Sequence, residues 1–138
     1  MSQTSLNRAR ILLVDDSSAN REMLAAALAC LDVELVEATN GEEGVAAARA
    51  GDFDLILMDV YMPVMNGVDA TRAIRALEGS RAQTAIVGFT VDVRPEQMSR
   101  YEEVGMNDVI AKPVDPAELI RKVFYWSSVS GDDDTAYI

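Results

Sequence analysis

The chain has no histidine among its 138 residues. This excludes Ser-His-Asp and Cys-His catalysis, His-ligated zinc and any phosphohistidine carried by the chain itself. A phosphohistidine that served it would have to sit on another protein. Cysteine is almost as scarce: Cys30 stands alone, so no intrachain disulfide can form, which argues against a stapled secreted fold. Its position on an apolar helical stretch reads as core packing rather than as a reactive thiol. Positive charge is short as well, with 12 Lys and Arg against 23 Asp and Glu and a net charge of −11. With no cluster of Lys and Arg at either end, direct binding to nucleic acid or to an anionic membrane is not expected. No apolar run approaches the roughly 18 residues of a membrane span. Met1 to Arg10 lacks a signal-peptide apolar core, so a soluble, cytoplasmic protein is expected. The stretch DDSSAN after the first apolar run contains no glycine, which removes the phosphate-cradling loop of a nucleotide site.

What is present is a strict alternation. Ile11 to Val14, Val33 to Glu37, Asp54 to Met58, Ala85 to Phe89 and Val109 to Ala111 read as short apolar strands. Between them lie helical patterns: about Ser17 to Leu31 with Met23, Leu24, Ala27, Leu28 and Leu31 on one face; Gly41 to Ala50, opened by Asn40 or Gly41; a helix to about Leu77 with Val68, Ile74 and Leu77 inward; and Arg94 to about Val104, with Pro95 in its first turn. Asp115-Pro116-Ala117-Glu118 has the form of a capping box with proline at the first helical position and opens a last helix to about Trp126. Such a β/α order implies an α/β fold, a parallel sheet with right-handed crossovers covered by helices on both faces, in a chain too short for a barrel. With 49% hydrophobic residues there is material for one real core and no room for a second domain. The expected organisation is a flexible N-terminus at 1–9, a domain at 10–126, and an acidic, disordered tail at 127–138.

Four polar signals fall where apolar runs end: Asp15-Asp16 after ILLV, Asp59 after LILM, Thr90 after IVGF and Lys112 after VIA. Ends of parallel strands converge on one ligand-binding crevice, so these residues should meet. Adjacent aspartates in a confined site raise each other's pKa unless a cation neutralises them. Magnesium takes a hard-oxygen octahedron of carboxylates, waters and phosphate oxygens, and Asp15, Asp16 and Asp59 supply the protein part; capping of the first helix is the alternative duty for Asp15 or Asp16. Asp59, at a rim, can attack phosphorus and form an aspartyl phosphate. Thr90 can donate a hydrogen bond to one phosphoryl oxygen and Lys112 can pair with another, a division suited to phosphoryl transfer.

On LLVDDS at 12–17, LILMDVYMPVMNG at 55–67, Thr90 and IAKPVDPAEL at 110–119, the chain from about Arg10 to Trp126 resembles the receiver domain of two-component response regulators. The resemblance implies a flavodoxin-like, doubly wound sheet of five strands in the order 2-1-3-4-5 with five helices. It implies Asp59 as phosphoacceptor, and magnesium, or manganese in its place, bound by Asp16, Asp59 and the backbone carbonyl of Tyr61, with Asp15 acting through water. Thr90 and Lys112 would sense the phosphoryl group, and the Lys112-Pro113 peptide would be cis. The phosphodonor would be a histidine kinase or a histidine phosphotransfer protein. Asn20-Arg21 and Gly105-Met106-Asn107-Asp108 are similar to receivers of hybrid kinases and phosphorelays.

The chain departs from the family pattern at Val109, where an aromatic usually rotates on activation, and at Val91, usually a small Ala. The readout should then rest on the backbone and on movement of the fourth helix. Tyr61 and Asp92 flank the path of hydrolytic water and should tune phosphate lifetime. Phe124, Tyr125 and Trp126 cannot all face inward on one helix, so at least one should be exposed, for a partner or for weak, phosphorylation-dependent self-association of a monomer. The expected role is that of a stand-alone phosphoacceptor which signals or relays by binding a downstream protein, not a conventional enzyme. Two alternatives stand beside it: a receiver excised from a hybrid kinase or larger regulator, and a magnesium-dependent aspartyl-phosphate phosphatase, which would want a second Asp where Tyr61 stands. The initial Met and acidic tail point to a complete small protein.

Overall fold

The computed structural model describes residues 8–131. The order is β1 (Ala9–Val14), α1 (Ser18–Ala27), β2 (Val33–Ala38), α2 (Gly41–Ala50), β3 (Leu55–Asp59), α3 (Gly67–Arg75), β4 (Ala85–Thr90), α4 (Pro95–Val104), β5 (Asp108–Ala111) and α5 (Pro116–Gly131), with 3-10 turns at Leu28–Cys30 and Gly79–Gln83. The five strands form one sheet in the order β2-β1-β3-β4-β5, and every pairing is parallel. This is the expected flavodoxin-like arrangement. β3 and β4 are buried along their whole length because helices cover both faces, which is why they read as unbroken apolar runs. Edge strand β2 is mostly half-exposed.

Side chains alternate across the sheet and divide the core in two. Leu12, Val14, Ile56, Met58 and Ile86 face α2, α3 and α4, meeting Val45, Ala48, Val68, Ile74, Tyr101 and Val104. Ile11, Leu13, Leu55, Leu57, Val87 and Phe89 face α1 and α5, meeting Leu24, Leu28, Leu119 and Val123. Local chemistry starts the helices. Ser17 Oγ accepts from Asn20 N at 3.2 Å, Asn40 Oδ1 from Glu43 N at 2.8 Å and Asn66 Oδ1 from Asp69 N at 2.9 Å, each engaging a helix-end donor with no intrahelical partner. Glu43 Oε1 reaches back to Thr39 N at 2.8 Å, and Pro95 opens α4.

Several expectations need correction. The first helix stops at Ala27 and tightens into a 3-10 turn that buries Leu28 and leaves Cys30 exposed, so Cys30 is not a core residue. Met23, expected inward, is 52% exposed, since Leu24 and Leu28 take the buried stripe. The third helical pattern, α3, ends at Arg75 rather than Leu77. There the Arg75 guanidinium binds the carbonyls of Ala82 (2.8 Å), Thr84 (2.7 Å) and Gly105 (2.7 Å) and Asn107 Oδ1 (2.9 Å). The last helix runs to Gly131, past the expected end at Trp126. Of the segment 1–9 expected to be flexible, Ala9 already belongs to β1, while residues 1–7 and the Asp132-Asp133-Asp134 run lie outside the described residues.

In the loop after β3, Val64 adopts φ 70° and is 77% exposed. A β-branched residue in the left-handed region costs about 1–2 kcal/mol, and a side chain this exposed gains little from burial in return. Val64→Gly is expected to stabilise the protein by about 0.5–1 kcal/mol after glycine's extra chain entropy. Calorimetry should show a higher Tm, and an unchanged or lower one would refute the strain.

Candidate functional site

The sheet order reverses between β1 and β3, which makes the crevice at their carboxyl ends the switch point of the fold. Asp15 and Asp16 leave β1 into this crevice and Asp59 ends β3. Oxygens of the three carboxylates lie within 4.8 Å of one another. Asp15 is 1% and Asp59 3% exposed, whereas Asp16 faces solvent. Asp15 is held by Ser17 N at 2.9 Å and Asn20 Nδ2 at 3.5 Å, so it braces the start of α1 while Ser17 caps it. Lys112, just beyond β5, donates from Nζ to Asp59 Oδ1 at 2.9 Å. Burial pushes the Asp59 carboxyl up; the Lys112 bond pulls against it, Asp15 adds repulsion, and the Tyr61 N–H stabilises the anion. Three carboxylates against one ammonium leave a net negative cleft of hard oxygen donors, which fits a divalent cation.

The backbone under Asp59 is fixed by close approach. Gly67 N donates to Val60 O at 2.8 Å, and a Cβ on Gly67 would run into the carbonyl oxygen of Asp59. Any other residue at 67 would shift the strand end that carries the carboxylate. The Lys112-Pro113 peptide is cis, as expected.

Thr90, at the end of β4, is buried at the same rim. Its Oγ1 accepts from Asp92 N at 3.0 Å and meets Tyr101 OH at 3.3 Å. Asp92 is clamped by Arg94, whose Nε and Nη2 each reach one carboxylate oxygen at 2.8 Å; that clamp holds its carboxyl below the usual range. Tyr61 OH donates to Asp92 Oδ2 at 3.4 Å, so the two expected lifetime-tuning residues touch. Sequence reasoning missed Tyr101 and Arg94. Tyr101 sits at an inward helical position and looks like plain core, while the spacing Asp92-x-Arg94 was a legible cue for the clamp.

On the neighbouring face, Val91 is 69% exposed and Val109 packs partly buried against the α2–α4 core. Of the aromatics on α5, Phe124 and Tyr125 are the exposed ones, at 66% and 49%. Trp126 turns inward and donates from Nε1 to Asp108 Oδ2 at 3.0 Å, so it fastens α5 to β5 instead of standing free. Lys122 Nζ meets Asp108 Oδ1 at 2.8 Å.

The response regulator receiver domain model matches residues 11–124. The CAI-1 autoinducer sensor kinase/phosphatase CqsS of Vibrio cholerae is 38% identical over 124 residues, 90% of this chain and 18% of that protein. Against such sensor kinases the chain spans a minor part of the whole length. Protein PilH of Pseudomonas aeruginosa is 36% identical over 115 residues, covering 83% of this chain and 94% of PilH. Among solved structures, the receiver domain of sensor histidine kinase PA1611 from P. aeruginosa PAO1, with a magnesium ion coordinated in its active site cleft, has a TM-score of 0.79. It is 35% identical and covers 88% of this chain and 98% of that one.

Burial raises the Asp108 carboxyl, but Lys122, Trp126 and the Val109 N–H together outweigh it and hold the group below its ordinary value. A depressed carboxyl contributes stability above the unfolded pKa of about 3.9, and loses it as pH falls through the lower folded value. Trp126 is the one tryptophan, so its emission should stay constant down to about pH 4 and shift below it, with no such step in Asp108→Asn. A step at or above the usual carboxylate range would refute the assignment.

Proposed function

This chain belongs to the response regulator receiver domain family, and we propose that it accepts a phosphoryl group on Asp59 from a phosphohistidine on another protein. Receiver domains are phosphoacceptor signalling domains, served by histidine kinases or histidine phosphotransfer proteins, and are not conventional enzymes. The observation that carries the reading for this chain is the buried Asp59 carboxylate, paired with Lys112 at 2.9 Å and crowded by Asp15 and Asp16 within 4.8 Å. With no histidine of its own, the chain is an acceptor in this exchange and never the histidine donor.

In the proposed step, Lys112 engages Oδ1 of Asp59 and the other carboxylate oxygen attacks phosphorus. The P–N bond of the donor breaks, and its electron pair returns to the imidazole nitrogen, which takes up a proton from solvent. Lys112 then turns to one phosphoryl oxygen and Thr90 donates to another. Asp16, Asp59 and the Tyr61 carbonyl would hold magnesium or manganese, with Asp15 acting through water. When bound, the ion supplies charge neutralisation for the carboxylates and for the remaining phosphoryl oxygen. Tyr61 and Asp92 stand over the cleft as a linked pair and set how easily water reaches the acyl phosphate. The product is read by a downstream protein at the face of α4, β5 and α5, around Val91, Val109 and Trp126. Coverage of 94% of PilH supports the stand-alone reading. Among the described residues no helix is long and apolar enough to cross a membrane.

Incubation with acetyl phosphate and magnesium should add one phosphoryl mass to the wild type and none to Asp59→Asn. Chelation of the divalent ion should slow the gain by more than about tenfold. A wild type that gains nothing, or an Asp59→Asn protein that gains as much, would refute the proposal.

A further inference from the structure

Tyr101 is 1% exposed and among the largest fully buried side chains, yet it brings a hydroxyl to the rim of the cleft. A buried hydroxyl requires partners, and this one has two. Tyr101 OH donates to the Asp92 carbonyl at 3.1 Å and lies 3.3 Å from Thr90 Oγ1. A tyrosine hydroxyl has one proton, and a carbonyl can only accept. The Tyr101 proton therefore lies on the Asp92 bond, and at the other contact Thr90 is the donor. Thr90 Oγ1 also accepts from Asp92 N at 3.0 Å, so its single proton is engaged by Tyr101.

If Asp59 is the phosphoacceptor and Thr90 donates to the phosphoryl group, the reading on which this inference rests, two acceptors compete for one proton. We infer that Tyr101 is the positioning residue of the switch: it holds the Thr90 hydroxyl away from Asp59 until a phosphoryl oxygen outcompetes it, and its release frees α4. The phosphoryl oxygen is the stronger acceptor because it is charged. Thr90 is β-branched and moves between discrete χ1 wells, so the change is a switch between two states. Tyr101 and Val104 are the two α4 residues that are buried, so a change at Tyr101 acts on half of the helix's buried anchor. The exposed Tyr61 ring joins the same cluster through Asp92, to which its hydroxyl donates at 3.4 Å. Val109 has no hydroxyl with which to take part, so the coupling runs through α4 and not through β5.

Tyr101→Phe keeps the ring and removes the hydroxyl. With acetyl phosphate and magnesium it should still gain the phosphoryl mass, about threefold to tenfold faster than wild type, the ratio set by one net hydrogen bond. The α4 amide shifts that accompany phosphorylation should fall to less than about half, and the rate effect should vanish in a Thr90→Ala background, where there is no proton to compete for. In the wild type, the 13C signals of the Tyr101 ring should move on phosphorylation, a readout that needs no variant. Rates within about twofold of wild type with full α4 shifts, an effect that persists in Thr90→Ala, or unmoved Tyr101 ring signals each overturn the inference while leaving Asp59 as acceptor. A wild type that takes no phosphoryl group overturns both.

Discussion

The structure turns on one buried ion pair in a crowded acidic cleft. Asp59 is almost wholly removed from water and lies beside two other aspartates. A lone carboxylate there would cost several kcal/mol and would protonate instead. Among the described residues Lys112, at 2.9 Å, is its cationic partner, and the Tyr61 N–H is a further donor. This compensation is partial, and a site in which a second buried carboxylate, Asp15, lies beside the Asp59–Lys112 pair attracts a cation and then a phosphoryl group. The fold serves that arrangement: short β5 brings Lys112 across β4 to the end of β3, and Gly67 lets α3 press on the carbonyl of Asp59.

From this pair the chain of contacts runs outward in two directions. Through Thr90 it reaches Tyr101, Asp92, Arg94 and Tyr61, a polar cluster laid over the cleft by the loop after β4. Through β5 it reaches Asp108, which gathers Lys122 and Trp126 from α5. The first branch ends on α4 and the second on α5, so the two helices beside the phosphoryl-sensing strand ends are each tied by side-chain hydrogen bonds that can be made or broken. An aliphatic residue at 109 is compatible with this design because the buried tyrosine hydroxyl comes from a helix instead.

The relatives combine the same domain with very different surroundings. The chain matches a small part of CqsS and nearly all of PilH. The domain's own surfaces then carry specificity. Phe124, Val91 and Val93 are exposed apolar side chains, and Tyr125, itself half-exposed, packs edge-on against Trp126 with ring centroids 5.0 Å apart.

The sequence by itself determined the alternation of strands and helices, the strand order through the family resemblance, and the acid, hydroxyl and ammonium set of the cleft. These are legible because strands buried on both faces must be apolar throughout, so a polar residue at the end of such a run stands out. The tertiary structure alone decided where the single protons go. That Thr90 donates to Tyr101, that Trp126 is fastened to Asp108 rather than exposed, that Arg75 stitches the carbonyls of Ala82, Thr84 and Gly105, and that Cys30 faces outward all depend on the directions in which side chains distant in sequence, or set on a tightened helical turn, come to point. Residue type and spacing carry burial, which varies with period; hydrogen-bond direction depends on angles that exist only once the helices have packed on the sheet.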